Sequence, residues 1–433
     1  MSTVIRKTSP PRDPPPLLAD YAAARAGFSW DAVAASLGVP LAGPLNLGGL
    51  AVSRGGSLAW FGASGEEERF SPGDLAAASA RAAGALAALG VRKGDRVAFM
   101  TRSVPELFFG ILGAFRMGAV AVVLARVRNG EALRSILAQS GAVAALFEPD
   151  SKPVLDPLLP ALPGLRSVAW LGRGGSPPPG LPVWERLLEA ASAVHEDAPL
   201  GPEDPAWIHF TDLTQGAAVC GHRAAFSLAG PSALALDLRA GDGLVSIAVP
   251  GDTLFLPYLL LAPLLSGAVT FAFEDPARYT RYGAFRERVD VWYSATRALE
   301  VILRADPGLG GLLARCRHIA VTHPYDAEFT FLTQLSYGSP LHPTWFPREL
   351  GAIQTAEFRA HDLRLGSVGR ALPGGEVELD PESSRLAVRL GPATPFTGFW
   401  EDPVQTEQRL KKGWFASEAR AKMDPDGYAW IAS

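Results

Sequence analysis

Cysteine is nearly absent from this chain: two residues in 433, Cys220 and Cys316, far apart in the sequence. So sparse a set excludes a disulfide-stapled scaffold and a Cys-rich metal cluster, and a reduced, cytoplasmic protein is the simplest reading. No charge of one sign dominates, with 40 basic and 44 acidic residues and a net charge of −4. Without a basic run, nucleic acid and anionic membrane surfaces are excluded as electrostatic partners. Long apolar runs are missing too. The most apolar stretch, residues 254–269 (LFLPYLLLAPLLSGAV), is interrupted by Pro257 and Pro263 and falls short of the roughly 20 residues a membrane span needs. It reads as a buried core helix. The N-terminal MSTVIRKTSPPRDPPP has basic residues but no apolar segment behind them, so no signal peptide is evident. Its prolines predict an extended or disordered leader over residues 1–27.

About half of the residues are hydrophobic, ample for a large core. Residues 74–89 (DLAAASARAAGALAAL) predict a helix, with Asp74 as N-cap and Gly90 as stop. A Lys-Gly-Asp turn then leads into a buried strand at 97–100, a helix at 104–117, a turn at Gly118 and a second strand at 119–124. This strand–helix–strand order predicts a parallel α/β sheet. The alternation recurs at 142–147, 244–249, 269–273, 289–293 and 318–321. Beyond residue 366, Gly, Pro and short alternating segments such as EVEL and LAVRL predict a small, mostly antiparallel β subdomain. The expected layout is α/β subdomains over 28–365 and the β subdomain over 366–433.

Four segments, in order, resemble the adenylate-forming superfamily, and acetyl-CoA synthetases within it. They are residues 70–97 (FSPGDLAAASARAAGALAALGVRKGDRV) with the following PEL, residues 249–268 (VPGDTLFLPYLLLAPLLSGA), residues 366–379 (GSVGRALPGGEVEL) and residues 398–431, which include GFWEDP, KKGWFASEAR and MDPDGYAWI. The resemblance implies the large N-terminal domain of such enzymes: mixed, mostly parallel sheets packed with helices, plus the small antiparallel β subdomain. It also implies that the chain stops at Ser433 before a C-terminal catalytic domain would begin.

The residues that match the family's sites are mostly replaced. Where the family has a Thr/Ser/Gly phosphate loop followed by lysines, this chain reads FTDLTQGAAVCG. Thr211, Thr214 and Gly216 remain, Asp212 would repel a phosphate, Leu213 removes a glycine's room, and both lysines are missing. His323 falls in the segment that contacts adenine and ribose in the family. In TWFPRELG, Trp345 and Phe346 match the family's aromatic pair and Glu349 its magnesium-binding glutamate, while Arg348 stands at the threonine that positions phosphate. An arginine there implies an ion pair with Glu349 or Asp212, or an anion site. Phe346, Thr253 and Leu254 match the acyl pocket, which Phe346 would keep small. Glu418 stands at the ribose-binding aspartate, one methylene longer. Cys220 next to Gly221 and His222 invites a thiol mechanism, but adjacency does not make the two face each other.

These readings predict a degenerate, AMP-binding protein without catalytic residues of its own, acting as a regulatory or structural subunit or as an acyl or nucleotide sensor. The expected partner is a paralogous or C-terminal-domain-bearing chain, or a second copy in a homodimer. No cofactor is expected, with ATP, AMP, magnesium or CoA as ligands of any residual site. The alternative is an acid–thiol ligase whose C-terminal domain comes from another chain.

Overall fold

The computed structural model describes residues 4–5, 14–210, 216–275, 288–306, 308–322 and 340–432. Two large sheets organise them. In the first, strands Ser57–Phe61, Val269–Phe273, Gly243–Ile247, Val291–Ala295, His318–Thr322 and His342–Trp345 run parallel to their neighbours, with antiparallel additions at both edges. In the second, Pro205–Phe210, Val120–Val123, Arg96–Met100, Ala144–Phe147 and Ser167–Trp170 are parallel, and Ala217–Gly221 and Phe396–Phe399 close one edge antiparallel. The strands expected from the apolar runs form with ends shifted by one or two residues.

Side-chain alternation places a helical layer between the sheets. Leu58 and Trp60 of one sheet and Val97 and Phe99 of the other enter a shared core with helices Pro72–Ala88 and Pro105–Met117. Ala59 and Phe61 face helix Thr296–Ala305 on the far side, and Ala98 and Met100 face helix Gly130–Ser140. The order is helix, sheet, helix, sheet, helix.

Local chemistry explains the element ends. Helix Pro72–Ala88 starts one turn earlier than expected. Ser71 is its N-cap and accepts from the Asp74 backbone N–H at 3.2 Å, while the Asp74 carboxylate accepts from the Ser71 N–H at 2.9 Å. Asp74 is therefore the third residue of a capping box rather than the cap, because Pro72 suits the first helical turn. The stretch expected as a core helix is one: Phe255–Leu261 and Ala262–Ser266, buried except at Ser266. Its first part has π geometry, with the Ala262 N–H reaching the Pro257 carbonyl five residues back.

After residue 366 the expected antiparallel sheet forms from Glu376–Leu379, Arg385–Arg389 and Trp414–Met423, flanked by Leu410–Lys411 and Ala429–Ile431. Two pieces of this region instead join the large sheets: Arg370–Ala371 joins one and Phe396–Phe399 the other. From residue 14 the leader is docked. The Pro14 and Pro15 carbonyls accept from Arg359 and Arg239, the Leu17 N–H donates to Asp237 at 2.7 Å, and Leu18 is buried. An Asp20-capped helix, Tyr21–Ala26, follows. Among the described residues, no helix is long and apolar enough to cross a membrane.

Candidate functional site

Parallel sheets offer a ligand crevice beyond the carboxyl ends of their strands, and the cleft of this molecule lies there. Ala125 and Phe210 of the second sheet face Val249, Ala295, Thr322 and Trp345 of the first, each at or just past the end of its strand. The cleft has a volume of about 1030 Å³, and the small β-sheet forms a further wall through Glu418 and Arg420.

Seven of the residues singled out from the sequence line this one cleft: Thr253, Leu254, Trp345, Phe346, Arg348, Glu349 and Glu418. Trp345 and Phe346 follow each other at a strand end and so point opposite ways. Trp345 packs into the core under the small sheet, and Phe346 into the inner core, 6.0 Å between ring centroids from Tyr258. A short 3-10 turn, Arg348–Leu350, then turns the Glu349 side chain inward and leaves Arg348 exposed in the cleft. Gly351 ends the turn at φ 66°, and a Cβ there would lie 2.9 Å from the Cys220 sulfur. Gly216 has φ 84° at the start of strand Ala217–Gly221. Thr211, Asp212, Leu213, Thr214 and His323 lie outside the described residues.

Glu349 does not pair with Arg348. Its carboxylate accepts from Arg409 Nη2 at 2.7 Å, and Arg409 Nη1 reaches Glu418 at 3.1 Å. The physical reason is direction. Glu349 points under the small sheet, where helix Pro403–Arg409 ends, whereas Arg348 points into the cleft. Arg409 was not singled out from the sequence; its only signal was a cation closing a short helix nine residues before Glu418.

Asp252 was also missed. Its N–H donates to the Val249 carbonyl at 2.9 Å and its carboxylate accepts from the Leu254 N–H at 3.0 Å, which places it at the mouth of the π-helical segment. Desolvation by the cleft walls raises its pKa, and the Leu254 N–H, the Arg348 charge and the Thr253 hydroxyl act in the opposite direction. Nearby, His209 Nε2–H donates to the Arg348 carbonyl at 2.7 Å; burial pushes its pKa down to about 4, so the ring is neutral.

The thiol reading fails on geometry. The Cys220 thiol is buried against the Glu349 carbonyl at 3.8 Å, and burial pushes its pKa up. His222 lies elsewhere, its Nδ1 accepting from the Leu47 N–H at 2.9 Å and its ring edge-on to Phe115.

A family model described as AMP-binding enzyme matches residues 52–389. Acetyl-coenzyme A synthetase of Bacillus subtilis (strain 168) is 27% identical over 388 residues, covering 84% of this chain and 67% of that protein. The 3-hydroxybenzoate--CoA/4-hydroxybenzoate--CoA ligase of Thauera aromatica is 26% identical over 378 residues, covering 82% of this chain and 70% of that protein. The chain thus spans about two thirds of the length of the curated relatives it matches. Among solved structures, an acyl-CoA synthetase of Brucella canis superposes with a TM-score of 0.85 at 23% identity, covering 95% of this chain and 79% of that one. The anthranilate CoA ligase AuaEII, solved with anthranoyl-AMP, gives a TM-score of 0.81 at 19% identity, covering 91% of this chain and 78% of that one. The matched region takes in the cleft walls from Ala125 to Glu349, and the chain belongs to the AMP-binding enzyme family, with the fold of acyl-CoA synthetases.

Proposed function

We propose that this chain does not adenylate an acid on its own and serves as a regulatory or structural subunit, or as a sensor of an acyl or nucleotide ligand, in the cytoplasm. One observation carries the reading: the Glu349 carboxylate is engaged by Arg409 at 2.7 Å. Adenylation depends on positioning and charge stabilisation of a triphosphate. In this chain Arg348 takes the place of the phosphate-positioning threonine, and the lysines that follow the phosphate loop in the family are missing. Its partner would be a paralogous chain or a second copy of itself.

The test is acid-dependent exchange of pyrophosphate into ATP, with magnesium and acetate, propionate or benzoate. The expected result is no exchange above background. Exchange at the rate of a working synthetase would end this reading.

The open cleft favours a second reading, a synthetase whose C-terminal domain is supplied by another chain. That reading requires exchange to appear when a chain carrying such a domain is added.

A further inference from the structure

The paired carboxylates Glu349 and Glu418 of the cleft do not fit a divalent cation. The side chain of Glu349, 8% exposed, is bridged to Glu418 by the guanidinium of Arg409. Arg409 is itself held in place. It closes helix Pro403–Arg409, whose start is capped by Asp402 accepting from the Gln405 N–H at 2.8 Å, and its Cζ lies 4.9 Å from the centroid of the Phe415 ring. Only 16% of its side chain is exposed. Magnesium demands a near-octahedral oxygen shell at about 2.0–2.1 Å, and a fixed guanidinium on one oxygen of each carboxylate competes for that oxygen and repels the ion. Among the described residues, no cluster of three His, Cys, Asp or Glu side chains offers another metal site.

We propose that Arg409 is a built-in substitute for the divalent cation, so that the nucleotide ligand of the reading above is held without metal and its phosphate is met by Arg348. The proposal rests on the non-adenylating reading above. Arg348 is exposed, lines the cleft and makes no ion pair among the described residues. Its backbone is pinned by His209 at 2.7 Å. A planar guanidinium meets phosphate oxygens in a bidentate way that needs no metal bridge. The charges of the described walls also disfavour a triphosphate. Among the described residues, Asp252, Glu349 and Glu418 line the cleft with Arg348 and Arg420, and Arg409 reaches Glu349 and Glu418 from outside that lining, so the described walls carry no surplus of positive charge for a triphosphate.

Two measurements test this. In the first, manganese is titrated into the full chain and followed by its paramagnetic resonance signal. Wild type should hold no ion that depends on Glu349, so Glu349→Gln should leave the titration unchanged. Arg409→Leu should create a site that the double variant Arg409→Leu/Glu349→Gln removes. Manganese bound by wild type and released by Glu349→Gln would overturn the proposal, and the wild-type titration itself is read with the Arg409 bridge intact. In the second, AMP is titrated calorimetrically in EDTA and in magnesium chloride. The two affinities should agree within about twofold, and Arg348→Ala should weaken binding tenfold or more. A tenfold gain with magnesium, an unchanged affinity in Arg348→Ala, or no AMP binding in EDTA would each sink it. Pyrophosphate exchange by wild type would instead end the non-adenylating reading, whatever the manganese result.

Discussion

The phenol oxygen of Tyr258 accepts a hydrogen bond from the backbone N–H of Ile353 at 2.6 Å, tying the π-helical segment to the chain just beyond Glu349. The Tyr258 ring stands edge-on to Tyr293 with centroids 5.0 Å apart, and burial pushes its pKa well above that of an ordinary phenol. Tyr258→Phe removes the acceptor of the Ile353 N–H together with the 3.3 Å contact to the Ser232 hydroxyl, and leaves that N–H buried. The expected loss of stability is about 1–3 kcal/mol, read from urea denaturation. An unchanged midpoint would show that Ile353 finds another acceptor.

A second prediction concerns a charge cluster away from the cleft. Arg317 is buried, with Nε 3.1 Å from Asp237 and further contacts to Asp242 and Asp290. Asp237 also receives Arg359 Nε at 3.0 Å and the Leu17 N–H, so the cluster holds the docked N-terminal segment. Arg317→Leu strips the buried carboxylates of their central cation and should cost about 3–5 kcal/mol. Proteolysis should cut near residue 17 sooner in the variant. Arg317→Lys should recover only part of the loss, because one ammonium cannot reproduce the fork.

The third prediction is a pH dependence. Burial pushes the His222 pKa from 6.5 down to about 4. Below about pH 6.5 the unfolded imidazole takes up a proton that the folded one refuses until about pH 4. The unfolded state therefore binds more protons, and stability falls as pH falls through that window. Between pH 7.5 and pH 5 this group should remove about 2 kcal/mol. His222→Asn, which keeps an acceptor for the Leu47 N–H, should flatten the profile by that amount in denaturation midpoints. A parallel slope in the two proteins would rule His222 out as the source.

Much of the scaffold was legible because it rests on local pattern. The apolar runs ending near Met100 and Leu124 are strands, and the proline-interrupted stretch is a buried helix, because burial on both sides leaves such runs few alternatives. The capping box was half legible. Asp74 was singled out, but whether a residue is the cap or the third helical position depends on where the first turn starts, and Ser71 and Pro72 decided that. The cleft was legible only as positions matched to a family. Thr253, Phe346, Glu349 and Glu418 come together from segments far apart in sequence because each sits at the carboxyl end of a strand or on the wall facing those ends.

By itself the sequence determined the alternation of strands and helices, and it marked Arg348 and Glu418 only as positions to be matched against a family. These are properties of residues and their immediate neighbours. Tertiary structure alone decided who pairs with whom. Glu349 and Arg348 are adjacent in the chain, but a one-residue step through a tight turn sends one side chain under the small sheet and the other into the cleft. There Arg409, which local pattern left unmarked, meets Glu349 across a 60-residue separation. Ion-pair partners are set by the directions of side chains and the docking of elements, and neither is written in local sequence.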